Sequence, residues 1–353
     1  MECFRIDESG YTGFDLLNAD QRFQGAAAIA ISDEDAANLI REYFPKLQAP
    51  ELKYRALSRR SANHPRLLSL LRDLLTHHKC VTYICDKRYL LMLMFLDHAV
   101  EPFYYERGMD FYEGGQNYAM ASFLFVTGPT MLGQPAFDRL LQSFQQAVRE
   151  KTPGSLSALI SATRATKWET FPEALGPLAQ FEAPECLSEI ANPGVNTDAA
   201  PVVLQSLVSR MEVMANGPYR VEHDQSKNLL AYHDLLQRFI DHDQEIEFRQ
   251  TEITSIKFPL KLAEVTQVDS KASSAVQLAD VMIGAAIEAV NRRAGLRSGG
   301  LDPDAVSSLY TDNQFIHLTP SFDLEEQKRF RQGTQAGELI DYFAENFYTP
   351  RST

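Results

Sequence analysis

Four aspartates stand apart from the other acids of this chain by where they fall. Asp7, Asp86 and Asp224 each end a predicted strand, over residues 4–7, 81–86 and 219–224. In α/β sheets ligands gather beyond the carboxyl ends of strands, so three such acids can meet in one crevice. Aspartate is also a common turn former, and strand ends alone do not separate the two readings. Asp280 is sharper. The helix predicted over 273–293 buries Val276, Ile283, Ile287 and Val290, and Asp280 lies inside that apolar stripe. An isolated buried charge is costly, so this carboxylate has to be paired, hydrogen-bonded or bound to a metal. Gln277, one turn earlier, faces the same way and is placed to orient it. Ala279, Gly284, Ala285 and Ala286 are small enough to let the helix sit close against a sheet.

Clustered acids without Cys or His at ligand spacing favour hard cations, Mg²⁺ or Mn²⁺, over zinc. Two such ions about 3.5–4 Å apart activate a water and stabilise a leaving oxygen in phosphoryl transfer. Cys3, Cys80, Cys85 and Cys186 form no C-x-x-C pair and have no histidine at zinc-site spacing, so reduced thiols are expected. The histidines carry less. His77 and His78 close a predicted helix, and His98, His233 and His242 sit in helices without a ligand-spaced partner. His223 adjoins Asp224 but is expected on the opposite sheet face, where it stands as a weaker acid/base candidate. The chain has no Walker loop, G-x-S-x-G or G-x-G-x-x-G.

The elements that must position these residues follow from patterning. A strand at 4–7 turns at Gly10, and a buried strand spans 24–31. Ser32 opens a helix with Asp35 in capping-box spacing, which explains Asp33, Glu34 and Asp35 as helix-start acids. An extended segment at 51–54 precedes a helix begun by Asn63-His64-Pro65, with Leu67, Leu68, Leu71, Leu74 and Leu75 as its stripe. Residues 88–216 read as helical, except that five prolines between 171 and 201 predict irregular chain. The alternation resumes with a strand at 219–224, a helix at 228–240, an extended segment at 264–269 and the helix at 273–293. A last helix is predicted over 334–347. The expected fold class is α/β, a mixed β-sheet flanked by helices with a large helical insertion. Residues 1–87 and 217–300 would form the core, 88–216 the insertion and 301–353 a C-terminal helical extension.

The chain has 353 residues, 34 basic and 47 acidic, for a net charge of -13. That balance excludes a basic nucleic-acid coat or a polybasic membrane binder as a whole-molecule property. The longest apolar run, residues 89–96, is far short of the ~18 needed to span a bilayer, and the N-terminus lacks a secretion pattern. A cytoplasmic protein without a membrane partner is expected. One stretch departs from the global charge. Lys53, Arg55, Arg59, Arg60, Arg66 and Arg72 lie between residues 52 and 72 with no acid among them. Such a stretch suits a phosphate backbone; the plain alternative is a solvated basic face. Arg292, Arg293 and Arg297 follow the Asp280 helix and read as C-terminal caps.

Ile6-Asp7-Glu8-Ser9-Gly10 near the start, together with Gln277-Leu278-Ala279-Asp280 near the end, resembles the bacterial domain-of-unknown-function family 3800. Glu51-Leu52-Lys53 resembles that family's glutamate-x-lysine segment, and Asp86-Lys87 and the strand-ending Asp224 are similar to it as well. The resemblance spans the chain, with 88–216 matched only in kind. It implies a ribonuclease-H-like fold, a mixed five-stranded sheet flanked by helices, and a Mg²⁺- or Mn²⁺-dependent nuclease acting by a two-metal mechanism. By that resemblance Asp7 is the central metal-bridging carboxylate and Asp280 the helix ligand. Glu51 and Asp224 would complete the set, with Asp86 competing for one place. Glu8, Ser9 and Gln277 would support them, and Lys53 would steady charge. Arg55, Arg59, Arg60 and Arg66 would hold the nucleic-acid backbone. The resemblance also suggests a role in phage defence or mobile-element biology. Two alternatives stand beside it. One is a non-catalytic, degenerate nuclease fold whose helical insertion binds a protein partner or a second copy; the other is a metal hydrolase of a small phosphorylated molecule.

Overall fold

Small apolar residues buried on both faces make the strand Phe23–Ala30, whereas the strand Glu2–Ser9 beside it alternates Phe4 and Ile6 with the buried polar Arg5 and Asp7. In the computed structural model the strands are β1 (Glu2–Ser9), β2 (Phe23–Ala30), β3 (Lys79–Asp86), β4 (Tyr219–Asp224), β5 (Ile246–Phe248), β6 (Ile256–Phe258), β7 (Leu262–Val268) and β8 (Phe315–Leu318). The structure describes residues 1–47, 49–112, 115–225, 227–248, 256–323, 342–343 and 346–347. Six strands form one sheet in the order β7-β4-β1-β2-β3-β8, and β5 and β6 pair separately as an antiparallel hairpin. β1 runs antiparallel to β2 and parallel to β4, which is parallel to β7. Because β1 is central, its Phe4 and Ile6 on one face and Asp7 on the other are all buried. The helix Ser274–Arg293 covers β1 and β2. The mixed, helix-flanked sheet is of the expected α/β class and is compatible with a ribonuclease-H-like fold. It has one strand more than the five anticipated, β8, which lies at the edge.

The chain divides into two units, and the boundaries differ from the expected ones. The first holds Met1–Tyr11, Gln21–Cys85 and Ala200–His317; the second holds Thr12–Asp20, Asp86–Ala199 and Leu318–Thr353. The helix Ala200–Met214, expected in the insertion, belongs to the first unit because its apolar face packs on β2. The segment after residue 300 is not simply a helical extension. It contributes the short helix Pro303–Ser307 and then β8, where the Thr82 amide donates to Gln314 O at 2.8 Å. The helix expected over 334–347 lies almost wholly outside the described residues.

In the second unit the helices include Lys87–Ala99, Gln116–Gly128, Gln134–Glu150 and Pro153–Arg164. The proline-rich stretch departs from the irregular chain expected there. It forms the helices Pro172–Ala179 and Pro184–Ala191, each with proline in its first turn, where a missing N–H leaves no bond unmade. Among the described residues no helix is long and apolar enough to cross a membrane.

Candidate active site

Strand register sets the first two carboxylates. Arg5 and Asp7 alternate onto one face of β1, and the pairing of Arg5 with Glu222 and Ile6 with His223 brings Asp224 alongside Asp7 on that face. Asp7 is not the last residue of its strand, as the sequence suggested; β1 continues through Glu8 to Ser9, which pairs with Gly25. Gly10 then turns at φ +87°, and a Cβ there would lie 2.0 Å from Phe23 O, so the motif requires glycine at this position. The Glu8 amide donates to Asp7 Oδ1 at 2.8 Å.

The helix Ser274–Arg293 brings Asp280. Ser273 caps it by accepting from the Val276 amide, and Ser273 Oγ donates to Asp33 Oδ1 at 2.9 Å. The Ala275 amide donates to the same Asp33 oxygen at 3.0 Å. Asp33 is therefore more than the helix-start acid it resembled: it anchors the N-terminus of the helix that carries Asp280.

Tyr54 lies along this helix, and nothing in the sequence pattern singled it out. Its amide donates to Asp280 Oδ2 at 2.7 Å, and its hydroxyl donates to Glu288 Oε1 at 2.6 Å. Between them a Cβ on Gly284 would lie 2.5 Å from the Tyr54 ring. Positions 280, 284 and 288 form one i, i+4, i+8 row, which was the available signal for a side chain laid along that face. Gln277 does not orient Asp280 directly. Its Oε1 accepts from the Leu52 amide at 2.8 Å and its Nε2 donates to Ser270 O at 2.7 Å, locking the Glu51–Lys53 segment to the loop before the helix.

That segment places Glu51 and Lys53 among the aspartates. Lys53 Nζ lies 2.8 Å from Glu51 Oε1 and 4.0 Å from Asp280 Oδ1. The Ser270 amide donates to Asp224 Oδ1 at 3.2 Å, and the Ser270 side chain hydrogen-bonds Glu51. The charges register one another. Burial pushes Asp7 well above the ordinary carboxylate range, and the charge of Asp280 pushes it further. Asp280 is raised by burial, with Glu51 and Asp224 adding to it against the Tyr54 amide and Lys53. Burial also raises Glu51, but hydrogen bonds from Lys53 and Ser270 outweigh it and bring Glu51 below its usual value. Burial lowers Lys53, yet its bond to Glu51 and the charges of Asp280 and Asp7 hold its pKa above the ordinary value.

The remaining candidates fall elsewhere. Asp86 Oδ1 accepts from the Arg88 and Tyr89 amides at 3.1 and 3.3 Å, which makes it the N-cap of Lys87–Ala99. His223 is buried on the opposite face from Asp7, as expected, and burial lowers its pKa. Its Nδ1 donates to Asp224 O at 2.9 Å, and its Nε2 is 3.2 Å from Nδ1 of His233, a partner the sequence did not reveal. Arg55, Arg59, Arg60 and Arg66 are all exposed, and no ion pair among the described residues engages them.

As the side chains stand, no group of three or more His, Cys, Asp or Glu among the described residues is arranged to hold a metal ion. The donor chemistry nevertheless fits a hard divalent cation. Every candidate donor is a carboxylate oxygen, Asp7 and Asp280 repel each other, and the cation among them is the Lys53 ammonium. No protein-family model, curated protein or solved structure matches the chain.

Proposed function

We propose that the first unit is a Mg²⁺- or Mn²⁺-dependent nuclease. One observation carries this: Glu51, Asp280 and Asp7 from three separate segments act on Lys53, and Asp224 from a fourth acts on Asp280. Asp7 and Asp280, with Glu51 and Asp224, would hold the metal. When bound, the ions supply a water of lowered pKa and positive charge for the phosphoryl oxygens. The chain's own part is orientation. The Tyr54 amide holds Asp280 Oδ2 and leaves Oδ1 toward Lys53. Gln277 fixes the two loops on either side, and Arg55, Arg59, Arg60 and Arg66 offer charge to the phosphate backbone.

Asp7→Asn and Asp280→Asn are each expected to abolish Mn²⁺-dependent cleavage across a panel of single- and double-stranded DNA and RNA, with circular dichroism unchanged. Full activity in both variants would overturn the assignment. A second reading, a protein-binding module on a degenerate nuclease fold, is favoured by the exposed Phe123, Val126 and Met131 of the second unit. It requires that the wild-type chain bind no Mn²⁺, which calorimetry decides.

A further inference from the structure

The carboxylates at this site already have a cation. Lys53 reaches Glu51 at 2.8 Å and Asp280 at 4.0 Å, and its charge also acts on Asp7. We propose that Lys53 is a resident counter-ion: its ammonium stands where a divalent ion would stand, keeps the metal-free site neutral enough to fold, and withdraws when the ion enters. The proposal rests on the nuclease reading above and concerns how that site is loaded.

Three features support an exchange rather than a fixed ion pair. The Lys53 side chain is 40% exposed, against 23% for Asp280, and Asp7 is buried, so the ammonium is the most water-accessible of these three groups. Its backbone is held on both sides, by the Leu52 amide on Gln277 and the Tyr54 amide on Asp280, so the stem can swing without moving the loop. The stem itself is a flexible four-carbon chain ending in a compact charge, well suited to leave one carboxylate group for another anion. A divalent ion and an ammonium competing for the same oxygens repel each other strongly over a few ångströms. Arg55, two residues on, is exposed and adds a second positive charge near Lys53.

The test is calorimetric titration of Mn²⁺ into the full chain, comparing wild type with Lys53→Met and Lys53→Gln. With the competitor gone, both variants should bind Mn²⁺ about tenfold or more tightly than wild type. Mn²⁺ should also raise the thermal midpoint of the variants by more than it raises that of wild type. Lys53→Gln keeps a polar head among the carboxylates and serves if Lys53→Met does not fold without metal. Lys53→Arg retains the charge and should keep the wild-type affinity. Equal or weaker binding by Lys53→Met and Lys53→Gln, with wild-type binding intact and lost in Asp7→Asn, would overturn the resident cation and leave the nuclease reading standing. No Mn²⁺ binding by any of them would overturn both.

Discussion

The surroundings of Asp7 and Asp280 disfavour their charged forms, for Asp7 chiefly through burial and then through the charge of Asp280. Both folded-state values are raised, which fixes the sign of the pH dependence. Below about pH 4 folded and unfolded chains are both protonated at these groups, and the shift contributes nothing. As pH rises above that, the unfolded chain releases its protons first while the folded chain keeps them, so stability falls until the folded groups ionise. Glu51 works the other way: its lowered value adds stability at neutral pH that is lost in acid. For metal-free protein, the urea midpoint of Asp7→Asn should therefore gain on wild type as pH is raised from about 4 to 8. A difference between the two proteins that stays constant across that range would contradict the burial and repulsion assigned to Asp7. The residue types Asp, Glu and Lys were legible in the sequence as metal-site chemistry. The resemblance placed Lys53 with these acids; what was not legible was that the Tyr54 amide holds Asp280, since that depends on the approach of two segments far apart in the chain.

The helix Ser274–Arg293 is the element on which the site depends, and Gly284 is its tightest point. Its small residues signalled close packing in the sequence, and the contact they permit proves to include Tyr54 as well as the sheet. Gly284→Ala would drive a methyl group into the Tyr54 ring and is expected to destabilise by about 1–3 kcal/mol in chemical denaturation. It should also weaken Mn²⁺ binding, because the Tyr54 amide that holds Asp280 moves with the ring. Gly176, in the helix Pro172–Ala179, has open space instead, and a Cβ added there would meet nothing within 4 Å. Gly176→Ala should be neutral or stabilising by up to about 1 kcal/mol, which separates a general helix effect from the Gly284 contact. Ser273 and Asp33 show the same division. The capping serine could be read from spacing, while the use of Asp33 by a second helix 240 residues away could not.

For the whole molecule, the net charge of -13 and the exposed Arg55, Arg59, Arg60 and Arg66 pull in opposite directions. On the nuclease reading, nucleic-acid affinity should therefore be local and steeply salt-dependent. Replacing the four arginines with glutamine should then reduce the slope of log affinity against log salt by roughly 3, measured by fluorescence anisotropy on an Asp7→Asn background without added metal. An unchanged slope would remove these arginines from the substrate path.

The sequence by itself determined the element types, the alternation that makes a helix-flanked α/β sheet, and the unusual position of Asp280 in an apolar stripe. These are local properties, set by periodicity, capping and the cost of burying an isolated charge. Tertiary structure alone decided the rest. Prolines that looked like irregular chain became helix starts, because the first turn tolerates them. β8 entered the sheet through an edge pairing that its four residues do not announce. Asp86 became a helix cap, while the bonds of the Tyr54 amide to Asp280 and of the Leu52 amide to Gln277, across some 226 and 225 residues of chain, bring Glu51 and Lys53 to the site. Such contacts depend on which surfaces meet after folding, and a local pattern carries no record of its distant partner.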